Sequence, residues 1–392
     1  MQPRIIETDD EFHDLCEHIR SEQLVGFDTE FVSDNTYRPA LGLLQFATQS
    51  CAAVVDPLAV TDLSAWWQIM ADDETTVVVH GGQAEIRFCL QLLGRPPQRL
   101  FDIQLAEGFR SSSYPLSYSA IVKRVINQRV DGSQTRTDWT RRPLSEAQLR
   151  YALEDVEYLI EIHEKQAASL EKLGRLVWAE QEVSRLIADI CNDDEAEPWE
   201  RLSGTHKLSR RDLAVLQRLA LWRENEAGRK NRPVRRILRD DLLVDLARRQ
   251  PGSEKQALAT RDLNRREYRR YMQDVVDVIR EAQKIGEQDL PPKRRSRRED
   301  ASSDEQVVAK LLALSLSNRC AEIDMAYTLV ANNRDLLELV RHHRLGERNG
   351  DTPRMMKGWR NELFGDLLRD VMDGKVAFRV APLGTGAPLV FE

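Results

Sequence analysis

No part of this sequence reaches the roughly 20 consecutive apolar residues that a membrane-spanning helix requires. Its first residues, Met1-Gln2-Pro3-Arg4-Ile5-Ile6-Glu7, lack the apolar core of a signal peptide. The cytoplasm is therefore the expected compartment, and no membrane partner is expected. Cysteine is scarce: Cys16, Cys51, Cys89, Cys191 and Cys320 are five in number and far apart. An odd, scattered set with no CxxC or Cys/His spacing argues against a disulfide framework or a zinc site and suits inert thiols in a reducing compartment. The seven histidines form no HExxH, and His342-His343 reads as an exposed helix end. No GxxxxGK[ST] stretch occurs, which argues against an autonomous helicase. Surplus positive charge is also absent, with 57 Lys and Arg against 64 Asp and Glu and a net charge of −7. A uniformly basic protein is thereby excluded, whereas a local basic face is not.

What remains is a charged, globular composition. At 392 residues, 41% of them hydrophobic and 31% charged, the chain is too long for one ordinary core, and two or three domains are expected. The spacing predicts a helix over 9–21, with Phe12, Leu15, Cys16 and Ile19 on one face. A strand over 24–31 and a loop at Thr36-Tyr37-Arg38-Pro39 follow. Residues 41–47 and 51–56 read as a strand pair joined by Thr48-Gln49-Ser50. A helix near 63–70, a β-branched strand over 75–79 and a helix from Gln83 come next. The strand start Leu100-Phe101-Asp102 and several helical segments over 117–173 complete the block. A hairpin followed by alternating strands and helices predicts an α/β or α+β domain with a mixed sheet, closing near residue 190.

The acidic, proline-stopped string Asn192-Asp193-Asp194-Glu195-Ala196-Glu197-Pro198 reads as a linker. Residues 203–285 are helical in pattern, with Leu213, Leu216, Leu219 and Ala220 marking one amphipathic helix and Leu242, Leu243, Leu246 and Ala247 another. A second linker, 288–298, is rich in charge and opens with proline. It precedes a third block, helical over 304–376. The two helical blocks are similar in length and compatible with distant copies of one module. The expected domains are thus 1–191, 203–285 and 304–376.

The chemistry concentrates in Leu24-Val25-Gly26-Phe27-Asp28-Thr29-Glu30-Phe31, where apolar residues run into two carboxylates two positions apart. On a strand these point to the same face, where they repel each other and lose solvation. A shared proton or cation relieves both costs, and oxygen ligands suit Mg²⁺ or Mn²⁺. A D-x-E pair alone reads better as two exposed acids at a strand end than as a metal site. Four further positions are candidates to complete a site. Glu85 falls in the first turn of its helix, where the dipole favours an acid. Tyr151 and Asp155 are four apart and share a helix face, and Asp102 ends its strand start. Phosphodiester hydrolysis by two metals needs three or four carboxylates from separate elements, with the cations roughly 4 Å apart. A phenol beside an acid can orient the attacking water and help deprotonate it.

Three segments carry a resemblance. They are Phe27-Asp28-Thr29-Glu30-Phe31, Val79-His80-Gly81-Gly82-Gln83-Ala84-Glu85 and Tyr151-Ala152-Leu153-Glu154-Asp155-Val156. They resemble the exonuclease motifs of the tyrosine-bearing branch of the DEDD superfamily, and within it the bacterial ribonuclease D family. Leu213-Ala214-Val215-Leu216-Gln217-Arg218-Leu219 with Trp222-Arg223, Arg232-Pro233 and Leu242-Leu243 is similar to an HRDC module. The resemblance implies a ribonuclease-H-like exonuclease domain followed by two all-α HRDC-type domains. It also implies a 3′→5′ exoribonuclease with two Mg²⁺ or Mn²⁺ ions, acting on structured RNA such as transfer RNA precursors and releasing nucleoside 5′-monophosphates. Asp28, Glu30 and Asp155 would hold one metal, Asp28 would bridge to the second, and Tyr151 would position water. Glu85 stands where the family normally has aspartate, and one added methylene displaces the carboxylate by about a bond length.

For the RNA, Tyr37 and Trp139 are candidate stacking surfaces, with Phe31 a weaker one. Arg38, Lys123, Arg136, Arg141 and Arg142 are candidate phosphate contacts in the nuclease block. Arg229, Lys230, Arg232, Arg235 and Arg236 form the densest basic segment of the first helical module, and Lys293–Arg298 reads as a basic tail or linker. Each is individually as readable as a solvated surface charge. The sequence does not specify an oligomeric state and is compatible with a monomer. Two rivals stay open. One is a DNA 3′→5′ exonuclease of the same superfamily, since discrimination rests on contacts to the 2′-hydroxyl. The other is an RNA-binding protein whose catalysis is weakened by Glu85.

Overall fold

The computed structural model describes residues 4–130, 137–292, 301–346, 352–382 and 388–392. Arg136 and the Lys293–Arg298 segment, both named above for RNA, lie outside the described residues. The chain divides into two compact units. One comprises Met1–Glu30, Gly42–Cys191 and Asp300–Glu392; the other comprises Phe31–Leu41 and Asn192–Glu299.

The first unit is built on six strands: β1 Arg4–Ile6, β2 Leu24–Val32, β3 Ala40–Ala47, β4 Ala52–Val55, β5 Thr76–Val79 and β6 Leu100–Asp102. Their order across the sheet is β1-β4-β3-β2-β5-β6. The expected hairpin is present: β3 and β4 are antiparallel, from Leu44 opposite Val55 to Ala47 opposite Ala52. Parallel pairing of β1 with β4, β2 with β5 and β5 with β6 makes the sheet mixed. Phe27 anchors β2, packing its ring 5.1 Å from Phe46 and 4.5 Å from Trp66, with no exposure of its own.

Helices α1 Asp9–Glu22, α2 Ser64–Ala71, α3 Gln83–Leu93, α4 Ile103–Arg110, α5 Tyr118–Ile126, α6 Glu146–Glu157, α7 Leu159–Lys172 and α8 Leu176–Glu195 accompany the sheet. Their starts obey local capping chemistry. Thr8 caps α1, and Ser145 with Gln148 forms a reciprocal capping box on α6. Gly26 lets the α6–α7 junction approach β2 closely, because a Cβ there would stand 2.9 Å from Leu159 Cβ and 3.3 Å from the Val156 carbonyl oxygen.

The second unit has its own core. It is formed by α9 Arg210–Lys230, α10 Val234–Ile237, α11 Asp240–Arg249, α12 Glu254–Leu258, α13 Arg266–Arg269 and α14 Met272–Gln283. Leu213, Leu216, Leu219, Leu243, Leu246, Met272 and Val275 pack together there, and the half-buried ring of Tyr37 joins them.

The third helical block comprises α15 Ser303–Glu322, α16 Tyr327–Val330, α17 Asn333–Leu345 and α18 Gly358–Met372. The sequence reading sets 304–376 apart as a domain, but these residues are part of the first compact unit. Buried polar chemistry supplies the reason. Glu182 of α8, 1% exposed, receives the Arg360 guanidinium of α18 at 2.7 and 2.9 Å, and Arg354 at 2.9 Å. The Arg175 side chain donates to the backbone oxygens of Phe109 and Ile323, each at 2.7 Å, and the Ala326 amide donates to the Gly108 oxygen at 2.9 Å. Trp359 packs its ring 4.9 Å from Phe109.

Candidate active site

Strand β2 outruns its neighbour. Its pairing with β5 covers Leu24–Gly26, so Asp28 and Glu30 lie past that stretch on the β5 side, on the same strand face. Glu85 enters from the first turn of α3 and is 4% exposed. Tyr151 and Asp155 come from successive turns of α6, drawn over β2 by the close approach at Gly26. Three separate elements thus deliver four carboxylates and a phenol to one place.

The carboxylates act on one another. Burial, followed by Glu85, Asp155 and Glu30, raises the Asp28 pKa well above the carboxylate range. Burial together with Asp155 and Glu85 pushes Glu30 up to about 8. Burial pushes Glu85 up to about 7, opposed by the hydrogen bond from Thr29. Asp155 is raised to about 6 by burial, opposed by its hydrogen bond with Tyr151. Tyr151 itself is pushed upward by burial and then by the charges of Asp155 and Glu30. No cation appears among the leading influences on any of the four acids.

An all-oxygen, all-acid set without a basic partner fits a hard divalent cation, which would lower every one of these raised values. The carboxylates are not drawn together as metal ligands, however. Among the described residues no group of three or more His, Cys, Asp or Glu is disposed to hold an ion as it stands. Within the site, Oε1 of Glu85 accepts a 2.6 Å hydrogen bond from the Thr29 hydroxyl. The residues fit the ion by chemistry, and ligation requires a small convergence of side chains.

Asp102 does not join this set. Its carboxylate caps α4, accepting from the amides of Gln104 and Leu105, and also receives the amides of Gly81 and Gly82 at 3.0 and 3.2 Å. It therefore shapes the turn that leads into Glu85.

A family model for a 3′–5′ exonuclease matches residues 3–171, and one for the HRDC domain matches residues 212–279. Ribonuclease D of Desulfotalea psychrophila is 30% identical, over 93% of this chain and 97% of its own. That of Bartonella henselae is 32% identical, over 92% and 87%. This chain belongs to the ribonuclease D family. A crystal structure of Escherichia coli RNase D, an exoribonuclease involved in structured RNA processing, matches with a TM-score of 0.82 at 29% identity, covering 95% of this chain and 99% of that one. The ribonuclease D fold accounts for the arrangement above: a ribonuclease-H-like exonuclease core with a mixed sheet, followed by helical HRDC structure. Ribonuclease D enzymes are 3′→5′ exoribonucleases of a divalent-metal-dependent superfamily.

Against the ribonuclease D frame, the expected RNA contacts separate into two groups. Trp139 is not a stacking surface. It is 2% exposed, packed beside Tyr151, and its Cβ and carbonyl oxygen crowd Gly42, where an added Cβ would meet them at 2.6 and 2.8 Å. Arg142 is likewise a structural tie, held by Asp56 and donating to the oxygens of Gly42 and Trp139 at 2.8 and 2.9 Å. Arg141 stays exposed, paired with Asp138 at 3.2 Å. Arg38 is exposed, 5.8 Å from the Tyr37 ring, and the Tyr37 hydroxyl donates to Glu224 at 2.9 Å. Arg229 and Lys230 both pair with Glu226, at 2.8 and 2.6 Å, and Arg235 pairs with Asp240 at 2.9 Å. Arg232 and Arg236 are exposed and make no ion pair among the described residues. Sequence reasoning passed over Thr29, although its place between two candidate acids was a signal, and over Glu182 and Arg360, for which no local signal exists.

Proposed function

We propose that this chain shortens structured RNA from its 3′ end, transfer RNA precursors included, by divalent-metal-dependent hydrolysis that releases nucleoside 5′-monophosphates. The observation that carries this reading is the cation-free cluster of Asp28, Glu30, Glu85 and Asp155 with Tyr151 on the Asp155 face. These four acids would hold two Mg²⁺ or Mn²⁺ ions. When bound, such ions neutralise developing phosphate charge and acidify water. Tyr151, hydrogen-bonded to Asp155 and with its pKa raised, stays protonated near neutral pH. Its hydroxyl therefore orients water and does not act as the base. Of the five basic candidates in the HRDC module, Arg232 and Arg236 are exposed with no ion pair among the described residues and are free to take phosphate, whereas Arg229, Lys230 and Arg235 must first give up a carboxylate. The third block opens as that module does, with a long helix, a four-residue helix and a medium one, and it lacks the two short helices, α12 and α13, that precede the module's last helix; the shared opening supports reading it as a second HRDC-type copy.

The test is a gel assay of 3′-extended transfer RNA and a matched DNA strand, with Mg²⁺, Mn²⁺ or chelator. Metal-dependent stepwise shortening of RNA is expected. Equal or faster cleavage of DNA would assign the chain to DNA. The longer acid at position 85, glutamate where the family normally has aspartate, favours one second reading, an RNA-binding protein with weakened catalysis. Bound but intact RNA under both metals would establish it.

A further inference from the structure

Thr29 stands between Asp28 and Glu30 in β2, past the Leu24–Gly26 stretch that pairs with β5, where Glu85 comes within electrostatic reach of both acids. Its hydroxyl donates to Oε1 of Glu85 at 2.6 Å, with Thr29 6% and Glu85 4% exposed. A hydroxyl–carboxylate bond this short and this sheltered is strong, because little water competes for either partner. Glutamate has one more side-chain torsion than aspartate, so a carboxylate on this longer arm is defined only if something holds it. Burial confines it partly. Among the described residues Thr29 is the one side chain found to donate to this carboxylate.

We infer that Thr29 is the positioning residue of Glu85, holding one carboxylate oxygen so that the other is left for a divalent cation. The inference rests on the metal-site reading proposed above. An aspartate at position 85 would withdraw the carboxylate by about one C–C bond, roughly 1.5 Å. The 2.6 Å contact would then open beyond hydrogen-bond distance. Thr29 is therefore needed by glutamate at this position and not by aspartate, and a purely structural threonine would show no such dependence.

The experiment measures Mn²⁺ binding to the full chain by electron paramagnetic resonance, with thermal melting of every variant. Thr29→Val should weaken Mn²⁺ binding about 10- to 100-fold, the usual cost of removing an outer partner of a metal ligand. Thr29→Ser, which keeps the hydroxyl, should restore binding to near the wild-type level. In a Glu85→Asp background, Thr29→Val should change binding very little. Thr29→Ala removes the hydroxyl without adding a methyl in its place and must behave as Thr29→Val does, which covers failure of that variant to fold. An unchanged affinity in Thr29→Val, or an equal loss in both backgrounds, overturns the inference. Absence of any Mn²⁺ site sensitive to Asp28→Asn would overturn the metal-site reading itself, and Thr29 with it.

Discussion

Glu182 lies among three guanidiniums, those of Arg360, Arg185 and Arg354, whereas Asp28, Glu30, Glu85 and Asp155 have acids and no cation among their leading charged influences. Both groups are acids taken out of water in the same compact unit. At Glu182 the arginine bonds outweigh burial and bring the pKa down to about 2. In the cluster burial leads and like charge adds to it, from Glu154 at Asp155, from Asp102 at Glu85 and from Asp155 and Glu85 at Glu30, and the values rise to about 6, 7 and 8 for Asp155, Glu85 and Glu30. A buried acid matched with internal cations is a structural tie, complete without any ligand. Buried acids left to one another hold an unmet demand for positive charge, and that demand is what a metal-dependent site stores.

Removing one member from each cluster breaks the comparison most sharply. Asp28→Asn or Asp155→Asn should lower RNA cleavage about a thousandfold or more, the equivalent of some 4 kcal/mol of charge stabilisation. Melting temperature should hold or rise, since a repulsion is relieved. Timed gel assays read the first effect, and more than a tenth of wild-type cleavage in either variant would refute the site assignment. Arg360→Met should act the other way. It leaves Glu182 buried with a partner missing and should cost about 3–5 kcal/mol of stability, while cleavage below the melting transition stays close to normal. Urea titration measures the loss, and a variant as stable as wild type would show the tie to be incidental.

The pH dependence should carry opposite signs in the two clusters. Glu182 has a folded value below its ordinary 4.5, so its contribution is full above that pH and is lost as pH falls through about 2. The site acids have folded values above their ordinary 3.8 to 4.5. Folded protein then binds more protons than unfolded, and their contribution is lost as pH rises through about 6, 7 and 8. Metal-free protein should therefore melt a few degrees lower at pH 8 than at pH 5.5, and Mn²⁺ should remove the difference. Calorimetry with and without chelator checks this, and a rise in metal-free melting temperature across that range would contradict it. The smallest effect is expected for Glu85→Asp. Cleavage should stay within about threefold of wild type or increase, because either length of side chain can supply a carboxylate once its support is suited to it. A loss beyond about tenfold would mean that only the glutamate–threonine pair works.

Much of this was legible along the chain because the signals are local. Period two put Asp28 and Glu30 on one strand face, a four-residue step put Tyr151 above Asp155, and turn residues marked the β3–β4 hairpin. What could not be read depends on what lies across space. Asp102 looks like a site acid but spends its oxygens on four backbone amides. Trp139 looks like a stacking surface but is packed beside Gly42, and Arg142 looks like a phosphate contact but is bound to Asp56.

By itself the sequence determined the order and type of elements, the acids that can share a face, and the ribonuclease D likeness, since periodicity and short motifs depend on neighbours a few residues away. Only the tertiary structure decided that residues 300–392 belong with the nuclease core, through a pair separated by 178 positions, Glu182 and Arg360. Only it decided that Thr29 holds Glu85 across 56. The reason is the same in both cases: a buried charge or hydroxyl must find a partner, and which partner it finds is set by folding, not by spacing along the chain.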